Sequence, residues 1–102
     1  MNLRTESRGD TLLVTGMDRL TATNAQHFKE LTHAQLTDAH RFVEVDLSLA
    51  SMLDSVGLGA LVSVQKRLAG RQGGVRLLRP VPFVHRMLLL LAMDQVFEIV
   101  TA

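Results

Sequence analysis

At 102 residues the chain is the size of one domain, and its 47% hydrophobic content is too rich for a disordered segment. Eleven basic against ten acidic residues leave a formal net charge of +1, without the basic excess that nucleic-acid binding wants. There is no cysteine, which removes disulfides and thiolate chemistry. No apolar stretch follows Met1 to make a secretory leader, and the longest apolar run, Met87–Met93, is far too short to span a bilayer. The expectation is a cytoplasmic chain, with neither nucleic acid nor membrane as its partner.

In chain order, Leu3–Ser7 and Thr11–Thr15 predict a hairpin around Arg8-Gly9-Asp10, where glycine supplies the positive φ of a tight turn. A helix follows from about Ala22 to Leu36, with Thr21 or Thr23 as its cap and Ala25, Phe28, Leu31 and Leu36 on its apolar side. Asp38–Arg41 is a polar connector. In Val43–Leu49 the apolar residues Val43, Val45, Leu47 and Leu49 alternate with Glu44, Asp46 and Ser48, which predicts a strand. Ser51–Leu53 leads into the run Asp54-Ser55-Val56-Gly57-Leu58-Gly59.

From Gly57 the period becomes helical. Leu58, Leu61, Val62, Gln65, Leu68 and Ala69 share a face, Lys66 and Arg67 fall outside it, and Gly70 is the stop. Asp54 or Ser55 suits the N-cap. Val75–Leu78 is a short strand after Gly73-Gly74. Pro80 and Pro82 open a further helix with a Val84, Met87, Leu88, Leu91 stripe. The Leu88–Leu91 run reads as core, with room for some exposed apolar surface. Val96–Val100 is a last short strand or helix. Strand, helix, strand over Phe42–Leu78 makes a βαβ unit with a parallel strand pair. The expected fold is α/β, a single domain over 1–102 with a mixed four- to five-stranded sheet and helices mainly on one face. The Asp54-Ser55 turn would lie at a strand's carboxyl end, where open α/β sheets place their sites.

That turn sets a hydroxyl beside a carboxylate, followed by small residues that leave backbone N–H groups open for a phosphate. The same residues also read as an ordinary helix cap, with Gly57 and Gly59 serving only close helix–strand packing. Asp46 reads as a structural carboxylate satisfied by neighbouring backbone. The histidines, His27, His33, His40 and His85, form no i, i+4 pair, so no metal is expected. There is no G-x-S-x-G elbow, and no histidine stands in a context that would oppose Ser55.

The segments Asp46-Leu47-Ser48, Asp54-Ser55-Val56-Gly57-Leu58-Gly59-Ala60-Leu61 and Gly73-Gly74 together resemble the STAS family, the fold of bacterial anti-sigma factor antagonists. Asp18–Ala25 is similar to that family's first strand-to-helix turn, and the resemblance runs roughly from Leu12 to Val100. It implies a binding module without catalytic activity. The implied partner is a cytoplasmic serine kinase of the GHKL ATPase type that doubles as an anti-sigma factor. That kinase would bring ATP and Mg²⁺, so the chain needs no cofactor. The implied contact surface is Asp54, Ser55, Val56, Gly57 and Leu58 with Thr21, on a monomer or weak dimer. Phospho-regulated members carry the modified hydroxyl at the position held here by Val56, and an acidic residue where this chain has Thr21. Ser55 is the hydroxyl left in the core motif, hence the phosphorylation candidate. Two other readings stay open: a constitutive STAS scaffold without the switch, and a small domain that binds an anionic ligand at the same turn.

Overall fold

Alternating apolar residues set one face of the sheet. Leu12 lies beside Val43 and Val43 beside Val75; Val14 lies beside Val45 and Val45 beside Leu77. All six are at most 2% exposed. The computed structural model describes residues 2–101; Met1 and Ala102, the ends of the expected 1–102 span, lie outside the described residues. Its strands are β1 (Arg4–Arg8), β2 (Thr11–Thr15), β3 (Phe42–Asp46), β4 (Gly74–Leu78) and β5 (Glu98–Val100), side by side in that order. β1 and β2 form the antiparallel hairpin, and Gly9 takes φ +60° at its turn. Each remaining neighbour pair is parallel, including β3 with β4 as the βαβ reading expected.

Three helices cover the apolar face: α1 (Ala25–Gln35), α2 (Ser55–Arg67) and α3 (Pro82–Leu90). Phe28 of α1, Leu61, Val64 and Leu68 beyond it, and Val84 and Leu88 of α3 join the six strand residues in one core. The opposite sheet face carries a polar row, Glu44–Arg76–Glu98, in register. Arg76 pairs with Glu44 at 3.2 Å and Glu98 at 3.4 Å, and its guanidinium lies 3.6 Å from the centre of the Phe42 ring.

Several boundaries differ from the expectation. β3 stops at Asp46, three residues early. The Leu47 amide still bonds the Leu78 carbonyl, but the Ala50 amide then turns back to the Leu47 carbonyl. Leu49 is therefore 71% exposed, not a strand residue facing the core. α1 starts at Ala25, and its first flanking residue is Asn24 rather than Thr21 or Thr23. α2 starts at Ser55 and ends at Arg67, and Gly70, at φ +83°, closes the turn that stops it. Leu58 on α2 is only partly buried, and Ala69, two residues past its end, is exposed. Leu61 and Leu68 are buried as expected, and Gly57, Ala60 and Val64 complete the buried stripe. On α3, Val84 and Leu88 are buried but Leu91 is half exposed. Val96 precedes the last strand, which begins at Glu98.

Candidate functional site at the Asp54–Leu58 turn

The turn sits where the chain leaves the carboxyl end of β3 and enters α2. Asp54 is the N-cap: its backbone is extended, and its Oδ1 accepts from the Gly57 amide at 2.8 Å. The second oxygen, Oδ2, accepts from the Ala22 amide at 2.9 Å. One carboxylate thus closes the start of α2 and ties it to the loop before α1. Those donors, Gly57 first and Ala22 next, hold the Asp54 carboxyl below its ordinary pKa, because each stabilises the charged form.

The two loops are laced together by backbone as well. Leu20 and Leu53 form a parallel bridge; the Leu20 amide bonds the Met52 carbonyl at 2.9 Å, and the Ser51 amide bonds the Asp18 carbonyl at 3.0 Å. Gly57 lies against this lacing. A Cβ there would stand 2.0 Å from the Leu20 carbonyl oxygen, closer than any real contact, so residue 57 must lack one. Its close approach is to a loop backbone rather than to a strand. Gly59 has open space where its Cβ would be, so it serves no packing at all.

Thr21 joins the turn from the other loop. Its amide donates to Asn24 Oδ1 at 2.8 Å, its carbonyl accepts from the Asn24 and Ala25 amides, and its hydroxyl lies 2.8 Å from that of Thr23. Asn24, only 4% exposed, also donates from Nδ2 to the Arg19 carbonyl at 2.6 Å. The structure therefore brings Thr21 into the same two-loop assembly as Asp54, although 33 positions separate them in the chain.

The outer surface belongs to Ser55 and Val56. Both are exposed, Val56 by 52%, while Gly57 is buried and Leu58 partly so. Leu49 and Met52, just upstream, are exposed by 71% and 49%. Sequence reasoning missed both. Leu49 looked like an inward strand residue, and Met52 belonged to a connector without periodicity. The open amides expected for an anion are partly occupied: Gly57 N–H is bound by Asp54 Oδ1, and Leu58 N–H by the Asp54 carbonyl. A negative carboxylate already fills the helix N-terminus, which opposes a bound anion there.

Asp46 is braced as expected. Its Oδ1 accepts from the Ser48 amide at 2.8 Å and its Oδ2 from Arg79 at 2.7 Å. Burial alone would raise its pKa, but the Ser48 bonds and Arg79 outweigh burial and hold it low. The histidines are dispersed among separate partners. His40 is 2% exposed and bonds Ser7 and the Thr37 amide; His33 meets Ser63 and Arg67 between α1 and α2. Among the described residues no cluster of three histidine or acidic side chains is poised for a metal, and no helix is long and apolar enough to cross a membrane.

A hairpin-led mixed sheet, helices over one face, and a D-S-x-G turn pinned between two loops define a known class of small α/β domain. The STAS domain model matches residues 2–102, and the chain belongs to the STAS family. An assigned anti-sigma factor antagonist from Thermotoga maritima superposes with a TM-score of 0.87 at 23% identity, covering 98% of this chain and 86% of that one. An anti-sigma factor antagonist from Mycobacterium paratuberculosis gives 0.84 at 22%, covering 99% and 86%. The anti-sigma factor antagonist SpoIIAA in its unphosphorylated form gives 0.79 at 18%, covering 98% and 89%. At these identities the likeness is one of fold. No curated protein matches the chain by sequence.

Proposed function

We propose that this protein is a non-catalytic partner-switching regulator of the anti-sigma factor antagonist kind. Its partner is a cytoplasmic serine kinase of the GHKL ATPase type that also acts as an anti-sigma factor. In the unphosphorylated state the Asp54–Leu58 turn, with Thr21 beside it, docks on that kinase, and phosphate on Ser55 ends the contact. The observation that carries this reading is the division of labour within the turn. Asp54 is wholly committed to holding the two loops, whereas its neighbour Ser55 projects into solvent on the first turn of α2.

Family membership supports the binding role, and SpoIIAA occurs in both an unphosphorylated and a phosphorylated form. A phosphate adds roughly −1.5 to −2 charges. With Asp54 pinned inward, that charge would face the partner and weaken docking without unfolding the domain. Exposed Leu49, Met52 and Val56 supply the apolar part of the surface. A second reading rests on Val56: with no hydroxyl at the family's acceptor position, the chain would be a constitutive scaffold. Incubation with native cell extract and ATP, followed by intact mass and site mapping, separates the two. The switch expects one phosphate, on Ser55. Phosphate on Ser48, Ser51 or Ser63, or none, favours the scaffold.

A further inference from the structure

Where α1 packs on α2, four polar side chains meet that the proposed switch does not use. Lys29 and His33 stand one helical turn apart on α1, and Ser63 and Arg67 one turn apart on α2. His33 joins the two pairs. Its Nδ1 accepts from Arg67 Nη1 at 3.0 Å, and its Nε2 lies 3.3 Å from the Ser63 hydroxyl. Lys29, His33 and Ser63 are half-buried and Arg67 is exposed, so solvent reaches the group along one rim.

No carboxylate balances this group. Among the described residues neither Lys29 nor Arg67 enters an ion pair. Glu30, next to Lys29 in the chain, accepts instead from Gln26 Nε2 at 3.1 Å. Arg71, one turn beyond Arg67, adds a further cation, and its Nη1 is held by the Thr37 and His40 carbonyls. Burial first, then Arg67 and Lys29, keep His33 below its ordinary pKa, and no acid pulls the other way. Two cations thus act on one imidazole with no negative charge to offset them, an arrangement that an anion relieves. The donors suit a doubly charged oxyanion: an ammonium, a hydroxyl, a ring able to take a second proton, and a guanidinium with five N–H groups of which the His33 contact uses one.

We infer that Lys29, His33, Ser63 and Arg67 form a binding site for a phosphate-class dianion, taken as free inorganic phosphate or as the phosphomonoester head of a lipid. Lys29 and Arg67 hold the charge and the Ser63 hydroxyl donates to it. Arg67 turns from His33 Nδ1 to the ligand, and the ring takes up a proton from solvent at that nitrogen. The bound anion ties α1 to α2. The site uses the later halves of both helices, so it is independent of the Ser55 switch at the start of α2.

Histidine-ring NMR of the full chain, titrated with inorganic phosphate, sulfate and chloride at constant ionic strength, tests it. Phosphate and sulfate should shift the His33 signals saturably, and chloride should not. Sulfate stays doubly charged throughout, so its affinity should rise at least about twofold from about pH 7.5 to about pH 6 as His33 takes its proton. Lys29→Gln and Arg67→Gln should each weaken sulfate binding on the order of tenfold. Lys66→Gln, an exposed neighbour outside the group, should leave it within about twofold. Cosedimentation with phosphatidylcholine vesicles containing phosphatidic acid, lost in Arg67→Gln, would assign the site to a lipid head; binding of inorganic phosphate without the vesicles would assign it to the free ion. Wild-type His33 signals that do not move, chloride acting as sulfate does, or Lys66→Gln weakening binding as much as a folded Arg67→Gln would each overturn the assignment.

Discussion

Two glycines two positions apart in the same motif have opposite physical roles. Gly57 faces the Leu20 carbonyl with no room for a methyl group, whereas Gly59 faces solvent. Gly57→Ala should destabilise the domain by about 1–3 kcal/mol, since the obstructing atom is backbone and cannot rotate away. Gly59→Ala should stabilise it by up to about 1 kcal/mol, the ordinary helix preference for alanine. Urea unfolding of the two variants checks both signs, and equal midpoints would contradict the packing described. Asp54 adds a pH signature. Because folding lowers its pKa, its stabilising contribution is complete above the ordinary carboxylate value of about 4 and is lost as pH falls through the lowered one. Asp54→Asn should lower the thermal midpoint at neutral pH and flatten the acid decline, because an amide group would turn a donor toward the Gly57 or Ala22 N–H. An acid limb of unchanged steepness would place the pH dependence elsewhere.

At the scale of elements, the α1–α2 contact is held by apolar burial and by one histidine. Leu61 is fully buried, so Leu61→Ala should cost about 2–5 kcal/mol through the cavity it leaves. A midpoint equal to wild type would place that side chain outside the core. His33 accepts from Arg67 on Nδ1 at 3.0 Å, which requires the neutral ring on that nitrogen, and its Nε2 lies 3.3 Å from the Ser63 hydroxyl. Burial first, then Arg67 and Lys29, lower its pKa. The neutral form is thus favoured by folding, and this contribution is present above about 6.5 and lost as pH falls through the lowered value. His33→Gln should remove that part of the pH dependence of the thermal midpoint. It is distinct from the Asp54 limb at more acidic pH, and a profile unchanged by the substitution would show that His33 stays neutral or unpaired in solution.

For the whole molecule, what the sequence made legible was periodic. Val43 and Val45 announced a strand, and Leu61 and Leu68 a helix, because each period is imposed locally by backbone geometry. Leu49 misled because alternation continues past Asp46 while the backbone turns at Ala50, a turn set by long-range bonds such as that from Leu47 to Leu78. The candidate turn was legible as a motif, and its cap at Asp54 as one of two options. Its second half was not, because the Ala22 amide that completes the Asp54 carboxylate lies 32 positions upstream. Asp54 meets the capping reading, and Ser55 stands exposed beside it.

The central claim is that this surface docks a kinase and that Ser55 gates it. The most direct measurement is the dissociation constant of the purified cognate kinase for wild type, Ser55→Ala and Ser55→Asp, with circular dichroism confirming that all three are folded. The account predicts that Ser55→Ala binds like the unmodified wild type and that Ser55→Asp binds at least about tenfold more weakly, a difference of about 1.4 kcal/mol in docking. Equal binding by the two folded variants would contradict it.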